Sequence, residues 1–212
     1  CLEGVELNIG GLSPMMKNII LTGRYESQER KYCARVLGPE DTLLELGSAI
    51  GFIGLYCRKI LGVKHVTGVE ANPNTLAMLE KNYQVNDLSP DVLHAAAAAE
   101  DGEIELNVGG EFWENTVAGS REGGSMITVP ALSFNSIIET MPRNPTALVC
   151  DIEGAEAYLD FARLPDSVEK IIIELHPDIT GRETVEVILK SLIGKGFGVV
   201  ESEEDCYLLT KE

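Results

Sequence analysis

Thr42-Leu-Leu-Glu-Leu-Gly-Ser-Ala-Ile-Gly51, followed by Val66-Thr-Gly-Val-Glu-Ala-Asn-Pro73, decides how this chain folds. The first stretch is a short apolar run that breaks into small residues where a helix should begin. The second is another apolar run that ends on a carboxylate, Glu70, nineteen positions after Gly51. Strand, glycine turn, helix, strand and acid in that order build a pocket for a nucleoside-containing ligand at the edge of a parallel sheet.

The turn narrows the ligand. Its glycines are 47, 51 and 54, so the G-x-G-x-x-G spacing of dinucleotide sites is absent. Gly47 lets the chain turn sharply, and Ser48 and Ala49 leave the backbone open to close approach. Free N–H groups at the start of the next helix are available to an anionic group. Glu45 stands two residues before Gly47. A carboxylate there repels a pyrophosphate and suits a ligand carrying an ammonium group, such as the methionine part of S-adenosylmethionine. Glu70 is expected to accept hydrogen bonds from ribose hydroxyls, with Ala71 and Asn72 flanking the adenosine. The alanine run 95–99, Ala97 included, reads either as room for the adenine ring or as a tightly packed strand.

Outward from these motifs the chain alternates. Strands are expected at 42–46, 65–70, 91–98, 103–108, 146–151 and 169–174, with helices at 24–37, 50–61, 73–86, 131–141, 154–162 and 181–194. Asn72-Pro73 is a helix start, with Asn as cap and Pro at the first helical position. Residues 1–22 read as a strand or hairpin, and the glycine-rich 109–124, with Trp113, as a loop over the site. Two closing strands, 197–201 and 205–210, read as an antiparallel hairpin. Strand–helix alternation implies a parallel sheet with helices on both faces. The hairpin makes it the seven-stranded, mostly parallel sheet of the class I methyltransferase variant of the Rossmann-like fold. A single domain is expected over 1–212, with an N-terminal extension and helix over 1–37 and the core over 38–212.

The 212 residues carry a formal net charge of −17, from 34 acidic and 17 basic residues. That field opposes nucleic acid and anionic membranes. Five cysteines, odd in number and without a Cys-x-x-Cys pair, suit a reducing compartment rather than disulfides or zinc. Neither a membrane helix nor a leader segment is legible, so the expected location is cytoplasmic.

Two further strand ends carry chemistry. In Ala147-Leu-Val-Cys-Asp-Ile-Glu-Gly-Ala-Glu156, Asp151 and Glu153 alternate with Ile152 and point to one side, where two carboxylates orient or deprotonate a nucleophile. Glu156 reads as an acid at a helix start. In Ile171-Ile-Ile-Glu-Leu-His-Pro177, Glu174 and His176 point one way. His94 reads as structural. No metal site is expected.

The chain resembles the FkbM family of S-adenosylmethionine-dependent methyltransferases. The resemblance rests on Gly23-Arg-Tyr-Glu26, Glu45-Leu-Gly-Ser-Ala-Ile-Gly51, Val69-Glu-Ala-Asn-Pro73, and Cys150-Asp-Ile-Glu-Gly-Ala-Glu156 with Ile173-Glu-Leu-His-Pro177. The sequence departs from the family pattern at Glu45, Ser48 and Ala49, and at Cys150, where a lysine is common. The resemblance implies methyl transfer from S-adenosylmethionine to a hydroxyl of a small molecule or carbohydrate. It implies that Glu45, Gly47, Ser48, Ala49, Gly51, Glu70, Ala71, Asn72, Ala97 and Asp151 hold the cofactor, and that Tyr25 and Glu26 close over its methionine end. Asp151, Glu153 and His176 are the candidate catalytic groups, in no fixed order. The competing readings are an NAD(P)-dependent oxidoreductase and a non-catalytic binder of S-adenosylmethionine.

Overall fold

The computed structural model describes residues 1–108 and 125–211. The loop expected at 109–124, with Trp113, lies outside the described residues.

Helices α1 (Pro14–Leu21) and α2 (Ser27–Val36) precede an alternating series. It runs β1 (Thr42–Leu46), α3 (Phe52–Lys59), β2 (His65–Glu70), α4 (Pro73–Val85) and β3 (Val92–His94). A small excursion follows: β4 (Ala96–Ala97), β5 (Gly102–Val108) and β6 (Ser125–Leu132). Then come α5 (Phe134–Thr140), β7 (Ala147–Cys150), two 3-10 turns (Ala155–Tyr158 and Phe161–Arg163), β8 (Lys170–Glu174), α6 (Pro177–Thr180), α7 (Arg182–Gly194), β9 (Phe197–Glu203) and β10 (Cys206–Lys211).

The main sheet has seven strands in the order β3-β2-β1-β7-β8-β10-β9. β10 runs antiparallel to both its neighbours, and the strands from β3 to β8 run parallel. Glu204 and Asp205 join β9 to β10 with positive φ, 50° and 64°, as a two-residue hairpin turn with right-handed strand twist requires. The α/β class and the closing hairpin are as the sequence implies.

β1 is the centre of the sheet, and all five of its residues are buried. Its side chains alternate between two cores. Leu43 packs on the face covered by α1 to α4, with Phe52, Leu55 and Leu79. Leu44 and Leu46 pack on the other face with Ile137 of α5 and Ile188 and Leu192 of α7. A continuous apolar run therefore feeds helices on both sides. Asn72 caps α4 by accepting the Asn74 N–H at 2.9 Å. The fully buried Asn82 of α4 accepts the Asn8 N–H at 2.7 Å and donates to the Ile50 carbonyl at 2.8 Å, tying the N-terminal segment to the glycine turn.

Four expectations are corrected. Residues 1–22 form a Leu2–Val5 bridge and α1, not a hairpin, because Ser13 caps a helix whose first residue is Pro14. The strand expected at 91–98 breaks at Ala95, whose N–H reaches the carbonyls of Glu70 and Leu93. Its second half joins a separate three-stranded sheet, β4-β6-β5. The helix expected from 131 starts at Phe134, because Ser133 caps it and Ala131 and Leu132 pair with β4. Residues 154–162 form 3-10 turns in place of an α-helix, because Glu156 folds its carboxylate back to the Ile152 N–H at 2.8 Å.

Candidate functional site

The winding reverses between β1 and β7, and the carboxyl ends of β1, β2, β7 and β8 converge there. Open α/β sheets bind ligands at such a point. At the end of β1, Gly47 has φ 83°, and a Cβ on it would lie 1.7 Å from the Asp151 carbonyl oxygen. The glycine is required because the turn touches the end of β7, besides leaving room for a ligand. Ala49 takes φ 45° and donates its N–H to Glu70 Oε2 at 2.8 Å. The Asn72 N–H donates to Glu70 Oε1 at 2.7 Å. Burial pushes the Glu70 carboxyl up to about 7, against the pull of the Asn72, Ala49 and Ala71 N–H groups. The three N–H groups leave the carboxylate one further accepting site.

A pocket opens above these groups. Gly47, Ala49, Glu70, Ala71 and Asn72 form one wall, and Ala95, Ala96 and Ala97 another. Glu26, Asp151 and Glu153 supply the charged end. The pocket thus gathers most of the candidate cofactor residues. Leu106, Ile152 and Ala155 also line it. Sequence reasoning missed Leu106 because it arrives from the second sheet, and the other two because their positions read as strand and helix interior.

Tyr25, Glu45 and Ser48 line an adjoining crevice that shares Glu26, Gly47 and Asp151 with the pocket. Glu45 is 3% exposed and accepts the Gly54 N–H at 3.1 Å. A Cβ at Gly54 would lie 2.8 Å from Glu45 Oε2, so that glycine makes room for the carboxylate. Burial raises the Glu45 carboxyl to about 8, opposed by hydrogen bonds from Ser48 and Gly54. Gly51, at φ 81°, precedes α3 and packs on Leu79 and Tyr83; it is among neither the pocket nor the crevice residues. His94 ends β3, exposed, with Nε2 3.1 Å from the Ala71 carbonyl.

Asp151, Glu153 and His176 do come together. His176 Nε2 lies 3.5 Å from Asp151 Oδ1 and 3.7 Å from Glu153 Oε2, and Nδ1 lies 3.3 Å from Glu156 Oε1. Burial lowers the His176 pKa, but Glu156, Asp151 and Glu153 outweigh it and raise the imidazole to about 9. Burial raises the Asp151 carboxyl to about 7, with His176 opposing. The ligand atoms of these three residues lie within 4.8 Å of one another, a spacing that fits either a protonated imidazole or a divalent cation. Glu156 is 1% exposed. From the first turn of the 3-10 segment, the helix-start position its sequence implies, it also holds the 151–154 turn and the histidine from behind. Glu153 and Gly154 take φ 53° and 94°, the strained turn that aims the two acids.

A second cavity, about 470 Å³, shares Glu26 and Asp151 with the first. Glu29, Glu174, Glu204 and Cys206 are among the residues on its walls. Burial pushes Glu174 far up, with Asp151 and Glu29 adding to it. Sequence reasoning missed Glu29, which reads as one more solvated acid in Ser27-Gln-Glu-Arg-Lys31. Cys150, by contrast, is fully buried in the core beside Phe134 and Ile137.

No protein-family model and no curated protein sequence matches the chain. Solved structures do. Methyltransferase FkbM from Methylobacillus flagellatus KT superposes with a TM-score of 0.58 at 15% identity, over 91% of this chain and 52% of that one. This chain therefore spans about half the length of that protein. The precorrin-6y C5,15-methyltransferase of Geobacter metallireducens GS-15 matches at TM-score 0.52 and 12% identity, over 99% and 95% of the two chains. The ribosomal protein L11 methylase of Lactobacillus delbrueckii subsp. bulgaricus matches at 0.50 and 12%, over 89% and 80%. The strand order and these superpositions give one conclusion: the chain has the class I methyltransferase fold.

Proposed function

We propose that this protein is an S-adenosylmethionine-dependent methyltransferase of the FkbM kind, acting on a hydroxyl of a small molecule or carbohydrate. One observation carries the reading. Glu70 lines a pocket at the switch point, and a second, polar cavity shares Glu26 and Asp151 with it. The residues present fit the cofactor. Glu70 offers a ribose acceptor, the three alanines leave an apolar wall, and Glu26 and Asp151 supply carboxyl oxygens for an ammonium group.

The bound cofactor supplies a methyl group already activated by its sulfonium. What remains for the protein is alignment in a water-poor site and removal of one proton. Asp151 borders both cavities and titrates at about 7, so it is assigned the proton of the acceptor hydroxyl. His176, charged below about 9 and held between Glu156 and the Asp151–Glu153 pair, is a positioning residue for those acids. The carboxylates on the second cavity disfavour a nucleic-acid acceptor, whose phosphates they repel. No helix among the described residues is long and apolar enough to cross a membrane.

Thermal unfolding with S-adenosylhomocysteine tests the cofactor. At 100-fold excess over Kd, binding adds about 2.7 kcal/mol to stability. Stabilisation by NAD with none by S-adenosylhomocysteine overturns the reading. Asp151→Asn keeps one side-chain oxygen toward the cofactor, so it should still bind S-adenosylhomocysteine, more weakly, while losing transfer of labelled methyl; retained transfer removes Asp151 as the base.

A further inference from the structure

The second cavity holds far more acid side chains than binding a neutral hydroxyl requires. Glu26, Glu29, Asp151, Glu174 and Glu204 all contribute to its walls. The one basic lining residue, Arg24, directs its Nε to Thr22 Oγ1 at 3.2 Å. Among the described residues no lysine or arginine forms an ion pair with any of the five acids. Glu29 is the telling member. It is 5% exposed, it lines the cavity with its carboxyl against Glu174 and Cys206, and its buried Oε1 accepts no N–H or hydroxyl hydrogen bond. A buried acceptor left unmatched costs free energy that a donor seated in the cavity would recover.

We propose that this cavity seats the ammonium group of a hydroxylated amine, so that the methyl acceptor is an amino sugar or amino alcohol rather than a neutral compound. The proposal rests on the methyltransferase reading and names its substrate class. An ammonium has three N–H donors and no acceptor, matching a wall rich in carboxyl oxygens. Its charge lets the acids ionise, which burial first and like-charge repulsion second otherwise oppose. The tether also selects the reacting atom. Nitrogen held as ammonium has no free electron pair, so the hydroxyl beside Asp151 is the nucleophile. Its oxygen forms the new O–C bond as the C–S bond breaks. Its proton passes to Asp151, and the nitrogen keeps its own.

The test is calorimetric titration of the protein saturated with S-adenosylhomocysteine. The probes are D-glucosamine, D-glucose, N-acetyl-D-glucosamine and Mg²⁺. The cationic sugar should bind at least about tenfold tighter than either neutral one. Glu29→Gln and Glu174→Gln, each checked for a native circular dichroism spectrum, should both remove that preference and leave the affinity for S-adenosylhomocysteine unchanged. Equal or tighter binding of a neutral sugar overturns the proposal, as does binding of none of the three. So does a preference that survives both substitutions. Mg²⁺ that binds, competes with glucosamine and is lost in Glu29→Gln assigns the cavity to a metal instead. The initial saturation with S-adenosylhomocysteine reads the cofactor assignment separately, so the two failures cannot be confused.

Discussion

Glu45→Gln should stabilise the protein in alkali and barely at all in acid. The wild-type carboxyl titrates near 4.5 when exposed and at about 8 in the folded chain, chiefly because burial penalises its charge. An acid with a raised folded pKa binds more protons folded than unfolded between those two values. Stability must therefore fall as pH rises across that interval. At about 1.4 kcal/mol per pH unit, the full interval corresponds to about 5 kcal/mol. Hydrogen bonds from Ser48 and Gly54 are already included in the value of about 8. Glutamine keeps an oxygen for the Gly54 N–H and cannot ionise. Urea unfolding at pH 5 and pH 8.5 should thus show the variant's advantage growing by roughly 3–5 kcal/mol between the two. Wild-type stability that does not fall over this range, or a difference between variant and wild type that is independent of pH, refutes the argument. The same variant probes binding. If the crevice beside Glu45 receives the ammonium of the cofactor, the stabilised protein should bind S-adenosylhomocysteine more weakly, the usual exchange of stability for function.

Glu70→Gln replaces an oxygen that accepts backbone N–H with a group that cannot, so affinity for S-adenosylhomocysteine should fall about 10- to 100-fold by calorimetry. Gly47→Ala places a methyl 1.7 Å from the Asp151 carbonyl at φ 83°; soluble yield should collapse, or chemical denaturation should show a loss above about 3 kcal/mol. Asn82→Ala strands the Asn8 N–H and the Ile50 carbonyl, for about 2–3 kcal/mol by urea unfolding, with proteolysis near residues 6–10 accelerated. Ala49→Gly relieves a left-handed backbone at φ 45°; the melting temperature should rise by a degree or more while binding of S-adenosylhomocysteine weakens through a looser turn.

The central fold was legible because local and global signals agreed there. The strands read at 42–46 and 65–70 match β1 and β2 in extent, and Asn72-Pro73 opens α4 as its chemistry requires. These are runs with one interpretation: apolar, β-rich and bounded by turn residues. The second sheet was less legible. Ala95 to Ala99 has no periodicity, so nothing in it announces that the chain leaves β3 at Ala95 and pairs Ala96 with Ala131. Strand β6 carries Pro130 opposite Glu103, a residue that argues against an interior strand when read alone.

The site divides along the same line. Glu70, Asp151, Glu153 and His176 were legible because strand-end position alone places them at the switch point. Glu29 and Glu156 were not, since both depend on burial created by other elements. Glu29 belongs to α2, which packs on β8 and β10, and only that packing turns a surface acid into one that is 5% exposed. Glu156 needs the turn at Glu153-Gly154 before its carboxylate reaches the Ile152 N–H and the His176 ring. The overall charge of −17 reads as a solubility feature when spread over a surface. Concentrated around one histidine and one cavity, part of it becomes specific. There the cost of crowding carboxylates is met by the His176 proton on one side, and on the other awaits a cation supplied by the acceptor.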